Sequence, residues 1–278
     1  MALEPHLPDA SAFALAVDRF YAGLMLNACP ANDSDSGAEP SLGGKLLYAG
    51  ELDADGRALA VAGNIAGAAT LAATADTAAQ KQAFRDGVVD FLVTDLDEAL
   101  RILKNEIRKR ETVAVCVASS PGAVEREMLE RGLLPDLLRT GDETAELLTP
   151  FLKLGARQTE PAPVEENQAM VTWSVATAPA LWLPKLDAIA LDCLSGDSSP
   201  SAWAARRWLR LAPRYLGRLA NGLRLVRCGR EMAAKFIGQV RERAEDGEIG
   251  VPVELKLAGH SEPVGHQFAP AKSPDSAR

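Results

Sequence analysis

The chain has 278 residues, is 47% hydrophobic and 5% aromatic, and carries a formal charge of −8. That length accommodates one large domain or two ordinary ones, and the near-average apolar content excludes collagen, a disulfide-rich miniprotein and wholesale disorder. No uncharged apolar run reaches the roughly 18 residues a membrane helix needs, so a spanning segment is excluded.

The four cysteines, Cys29, Cys116, Cys193 and Cys228, are scattered without C-x-x-C spacing. They predict reduced thiols in a cytoplasmic protein, with no zinc or other metal site. His6, His260 and His266 lie near the chain ends and leave no mid-chain histidine for general-base work. The charge is uneven. Ser198–Arg230 holds eight arginines and no acid in 33 residues, so the rest of the chain carries −16.

Ser11–Cys29 is mildly apolar, but Asp18 and Arg19 interrupt it and no basic segment precedes it. It predicts a packed helix, not a signal peptide. Residues 30–44, rich in Pro, Gly, Ser and acid, predict a surface linker. Lys45–Gly50 is a short apolar run stopped by glycine, as in a buried strand. Residues 58–83 hold 12 alanines in 26, which favours close-packed helix with a brief strand at Thr70–Ala73.

Val88–Val93 reads as a strand, with Thr94 capping the next helix and Asp97 answering in a capping box. That helix, Asp95–Arg110, places Leu96, Leu100, Leu103 and Ile107 on one face and an Asp97–Arg101 pair on the other. Thr112–Ala118 is the next strand, Gly122–Arg131 the next helix, and Leu133–Leu138 a further apolar run. This alternation predicts βαβ units around a parallel sheet.

Gly155–Gln168 has linker composition. Beyond it come an apolar run at Ala188–Leu194, a tryptophan-bearing helix at Ser201–Ala212 broken by Pro213, and a strand at Leu223–Arg227. An amphipathic helix follows at Gly229–Arg243 with Met232, Phe236 and Val240 in one stripe, then a strand at Val251–Leu257. The polar tail from Gly259 is expected to be mobile.

The turn Gly50-Glu51-Leu52-Asp53-Ala54-Asp55-Gly56 is the most suggestive site. Glycines after a first strand let a backbone approach a pyrophosphate resting on the following helix N-terminus. Here Glu51, Asp53 and Asp55 would repel it, and Asp55-Gly56 also fits an ordinary turn. Gly63 and Gly67 sit among small residues suited to helix–sheet packing. Cys116 and Cys193 lie in apolar runs where thiols are inert. Ser195 lacks a nucleophile-elbow context, and Glu165-Glu166 face solvent in the linker. Arg206, Arg207, Arg210, Arg214, Arg218, Arg224, Arg227 and Arg230 are interleaved with Trp203, Trp208 and Tyr215. That pattern fits nucleic-acid binding, or ion pairing with the acidic first half.

The order of segments resembles urocanase, the urocanate hydratase of histidine breakdown. The resemblance runs through LLYAG ending at Gly50, Gly56, NIAGAATL at Asn64–Leu71, VVDFLVTDLDEAL at Val88–Leu100 and LERGLLPDLL at Leu129–Leu138. It resumes at ALDCLSGD, Ala190–Asp197, read as a strand end, and at DGEIGVPVEL, Asp246–Leu255. The chain is thereby identified as a shortened, divergent member of the family. The resemblance implies a Rossmann-like parallel sheet flanked by helices over residues 45–154, preceded by an N-terminal helix and linker over 1–44. A linker at 155–169, a second urocanase-like α/β region at 170–258 that completes or packs on the sheet, and a flexible tail at 259–278 follow.

The resemblance also implies NAD⁺ as cofactor, with Gly50 and Gly56 as its binding glycines, but several family features are missing. The G-x-G-G-M-G-G turn is reduced to those two glycines, and the ribose-binding acid falls near Thr74. Thr140–Glu146 replaces a Q-T-S-x-H segment. Cys193 is too close to Ser195 to be the family's cysteine, so no catalytic residue is assigned. Lost or altered hydratase activity is the expectation. The alternative is a non-catalytic protein-interaction or nucleotide-binding pseudoenzyme, associating with itself or a full-length relative; neither a membrane nor a nucleic-acid partner is expected.

Overall fold

A computed structural model describes residues 10–28, 40–139, 145–217, 219, 222–258 and 264–268. Most of the linker expected at 30–44, nearly all of Thr140–Glu146, and much of the tail from Gly259 lie outside them. The described residues form two compact units, one of Ala12–Ala162 with Arg214–Leu219, the other of Pro163–Pro213 and the residues after Ala220.

The first unit alternates strand and helix after α1 (Ala10–Ala28). The order is β1 (Leu46–Glu51), α2 (Ala54–Ala66), β2 (Ala69–Ala73), α3 (Thr77–Asp86), β3 (Phe91–Val93), α4 (Leu96–Lys109) and β4 (Val113–Val117). Next come α5 (Pro121–Glu130), β5 (Leu137–Arg139), α6 (Ala145–Lys153) and β6 (Arg157–Thr159). The six strands make one sheet in the order β3-β4-β2-β1-β5-β6, every neighbouring pair parallel. This is the Rossmann-like parallel sheet flanked by helices that the alternating pattern implied.

β2 and β4 are buried at every position, as strands covered on both faces must be. Tyr48, Leu71, Val115 and Leu138 lie in a core cluster with Leu96, Leu103, Met128 and Phe151. On the alternate residues, Leu47 and Thr70 meet α2 at Gly63. A Cβ built there would stand 2.7 Å from Thr70 Oγ1 and 2.8 Å from Leu47 Cδ2. The alanine-rich stretch is therefore small so that helix and sheet can close up.

Several local expectations change. Val88 and Val89 are not in a strand: Gly87 ends α3 in the left-handed region, and both valine N–H groups donate to the Ala83 carbonyl. The cap of α4 is Asp95, not Thr94, and it accepts from the Glu98 N–H at 2.8 Å. A carboxylate answers the positive helix terminus better than a hydroxyl does. Asp97 pairs with Arg131 at 2.5 Å rather than with Arg101. Within the expected linker, Arg157–Thr159 joins the sheet beside β5.

The second unit contains β7 (Gln168–Ser174), α7 (Pro179–Cys193), most of α8 (Pro200–Leu216), β8 (Leu223–Gly229), α9 (Arg230–Glu245), β9 (Val253–Ala258) and β10 (Val264–Phe268). It builds its own antiparallel sheet, β10-β9-β7-β8, instead of completing the first one. Trp173 is buried in it, 5.0 Å from the Phe236 ring. The segment ending in Ser195-Gly196-Asp197 is a helix terminus, not a strand end. Pro213 does not break α8, because Trp208, Leu209, Ala212 and Leu216 continue a buried stripe through it. In the expected tail, Val264–Phe268 pairs with β9.

Replacing Gly63 with alanine is expected to destabilise the chain by about 1–3 kcal/mol through overpacking. Urea denaturation reads this directly, and an unchanged midpoint would contradict the close approach of α2.

Candidate functional site

In open parallel sheets, ligands bind beyond the carboxyl ends of the strands where the strand order reverses. Here the chain runs from β1 to β2 and out to the edge strand β3, inserts β4 between β2 and β3, and then crosses to β5 on the other side of β1. The crevice lies between the ends of β1 and β5.

The β1–α2 turn enters this crevice. Gly50 has φ +71° and lies at a register shift between β1 and β2, a bulge that needs the left-handed conformation. Gly56 lies in the first turn of α2, where a Cβ would stand 1.8 Å from the Glu51 carbonyl oxygen. The structure thus brings the two candidate glycines to one turn, Gly50 for its left-handed backbone and Gly56 for its close packing. Asp55-Gly56 is helical, not a free turn.

Asp53 is the N-cap of α2 and accepts the Gly56 N–H at 2.7 Å. Arg139, at the end of β5, donates to both oxygens of the same carboxylate, Nη1 to Oδ1 at 2.6 Å and Nη2 to Oδ2 at 3.0 Å. The Arg139 side chain is only 15% exposed, whereas that of Asp53 is 51% exposed. Burial raises the Asp53 pKa, but the hydrogen bonds from Arg139 and Gly56 and the guanidinium charge outweigh it. The carboxyl is held below its ordinary range. Glu51 turns back to accept the Leu52 N–H at 3.1 Å. Two N–H groups of the turn are thus given to carboxylates of the turn itself.

Beneath the crevice, Tyr48 donates to Glu125 Oε1 at 3.0 Å, and Glu125 is 1% exposed with Oε2 unbonded. Burial raises the Glu125 pKa against the hydrogen bond from Tyr48. It also raises Tyr48, together with the Glu125 charge. On β4, burial pushes the Cys116 thiol up to about 12, leaving it inert at neutral pH. Thr74, after β2, is buried and accepts the Asp76 N–H, while Asp76 caps α3 through the Ala78 N–H.

A model of the urocanase Rossmann-like domain matches residues 30–146. Over these residues the chain carries a urocanase Rossmann-like domain. The family's cofactor, NAD⁺, requires a pyrophosphate site at the α2 N-terminus, and the residues present do not fit one. The Asp53 carboxylate already takes the donors a phosphate would use, and Glu51 and Asp55 add negative charge around it.

Other features lie away from the crevice. A cleft of about 510 Å³ at the opposite ends of β1 and β5 is lined by Lys45, Asp136 and Arg157, with Lys45 and Asp136 paired at 2.9 Å. Four arginines of the arginine-rich stretch find acceptors within the second unit. Arg206 donates to the Leu194 and Asp197 carbonyls, Arg224 to Asp187, Arg227 to the Pro163 carbonyl and Arg230 to that of Glu166. Asp187, bonded also by Trp173, has its pKa raised by burial despite Arg224. Among the described residues no cluster of three or more His, Cys, Asp or Glu side chains could hold a metal, and no helix is long and apolar enough to cross a membrane.

Arg139, Asp53 as a cap, and the Tyr48–Glu125 pair were not foreseen as site residues. The only local signal was an aspartate directly before an alanine-rich helix, three residues ahead of Gly56.

Two pH dependences follow. Asp53 has a depressed pKa, so its stabilisation is complete above the ordinary carboxylate range and is lost as pH falls through its folded value. Asp53→Asn should lack that component, making the wild-type and variant unfolding midpoints converge in acid. Glu125 has a raised pKa, so its favourable contribution is present in acid and lost as pH rises. As pH rises from the ordinary carboxylate range to neutrality and above, the stability difference should therefore move in favour of Glu125→Gln; chemical denaturation at either end of that range checks the sign.

Proposed function

We propose that this urocanase-family chain does not carry out urocanate hydration in its own crevice and acts instead as a non-catalytic relative of the enzyme. The reading is supported by the Asp53–Arg139 pair, which takes up the helix N-terminus where dinucleotide-binding folds seat a pyrophosphate. It is supported by the described thiols: Cys116 and Cys193 are buried with raised pKa values, opposite to what a reactive thiolate needs. Lyase activity and a role in histidine catabolism are not assigned to the chain.

An interaction role, with a second copy or a full-length relative as partner, has one specific support. β3 ends the sheet, and Phe84, Phe91 and Leu92 around it are 53%, 47% and 37% exposed. An apolar sheet edge of this kind favours association. The arginine stretch offers weaker support for a nucleic-acid partner, because four of its side chains already hold intramolecular acceptors.

Purified chain supplied with NAD⁺ and urocanate should show no hydration above background. Turnover at the several per second common among enzymes would overturn the proposal. Light scattering after size exclusion should show association that weakens in Phe91→Lys, and a monomer at all concentrations would remove self-association.

A further inference from the structure

The mismatch between this crevice and a dinucleotide has a specific form. The crevice is not merely missing glycines; it contains an anion supplied by the chain. The Asp53 carboxylate sits at the α2 N-terminus and accepts the Gly56 N–H, and both of its oxygens are held by the fork of Arg139. Arg139 comes from β5, on the far side of the strand-order reversal from β2. A guanidinium that is mostly buried at such a place needs an anion, and bidentate pairing is the geometry by which arginine holds either carboxylate or phosphate.

We propose that Asp53 is a built-in substitute for the nucleotide phosphate. Its carboxylate closes the β1–β5 crevice and ties α2 to β5, so the domain folds without nucleotide and does not take up NAD⁺ there. This rests on the family assignment but not on the loss of hydratase activity, because it concerns ligand occupancy and not turnover.

The geometry also explains why only one of the three acids is fixed this way. Asp55 lies inside the first turn of α2, and Glu51 bonds the adjacent Leu52 N–H. Asp53 alone stands at the cap position, where one carboxylate can meet both the helix N-terminus and the strand across the crevice. A phosphate could enter only by displacing a tethered anion whose effective concentration exceeds that of a free ligand.

The test uses thermal unfolding and calorimetry on the full chain with NAD⁺ and inorganic pyrophosphate as probes. Wild-type protein should show no saturable heat and no rise in midpoint with millimolar NAD⁺. A saturable rise abolished by Arg139→Leu would overturn the proposal, whatever the urocanate assay gives.

The Asp53→Gly variant removes the anion and keeps an acceptable cap. Its midpoint should fall below wild type and recover on adding pyrophosphate, whereas the Asp53→Gly, Arg139→Leu double variant should not respond. Equal responses of wild type, single and double variants would also overturn it. Should Asp53→Gly not fold, Asp53→Asn keeps the cap geometry without the charge. It should show the same fall in midpoint, and an unchanged one would count against the proposal.

Discussion

The first unit depends on how closely α2 can approach the end of β1. With a Cβ on Gly56, the helix would collide with the Glu51 carbonyl, and with one on Gly63 it would press on Thr70 and Leu47. The close contact lets Asp53, directly ahead of the helix, reach across to Arg139. Cap, ion pair and helix–sheet contact are thus one arrangement. Loosening any part moves the carboxylate away from the guanidinium or from the Gly56 N–H.

Much of the fold was legible in the sequence because its signals were local and repeated. β-branched and alanine-rich runs separated by glycine or aspartate implied the βαβ units, and the buried strands β2 and β4 fall where those runs are. What was missed depended on partners remote in sequence. Arg157–Thr159 has the composition of a linker, yet it pairs with β5, which no local pattern announces. Pro213 looked like a helix end until the stripe from Trp208 to Leu216 is seen to bury on both sides of it. β10 lies in a tail whose polar composition hides a short alternating segment.

The candidate site was legible in a narrower sense. The turn at Gly50–Gly56 stands out in the sequence through its two glycines and three acids, Glu51, Asp53 and Asp55. The sequence could not show that one acid would be neutralised from 86 residues away by Arg139. Tyr48 and Glu125 were equally hidden: 77 residues separate them, and each reads in isolation as an ordinary strand or helix residue. In the second unit, the acid-free arginine run looked like one surface, but its side chains disperse to helix ends, a loop carbonyl and the buried Asp187.

The bulge at Gly50 bears on how such a turn can change over time. Because β1 contains one more residue than β2 across this step, Glu51, and not Gly50, pairs with Ala73. Removing a single residue there would restore even pairing, but it would carry every following position one place back along the strand. Ala54 would then stand where the cap is, and Arg139 would face a methyl group. The identity of the capping residue is thus encoded in the strand's length as well as in the residue itself, and this turn can tolerate substitutions at its exposed positions far better than a deletion.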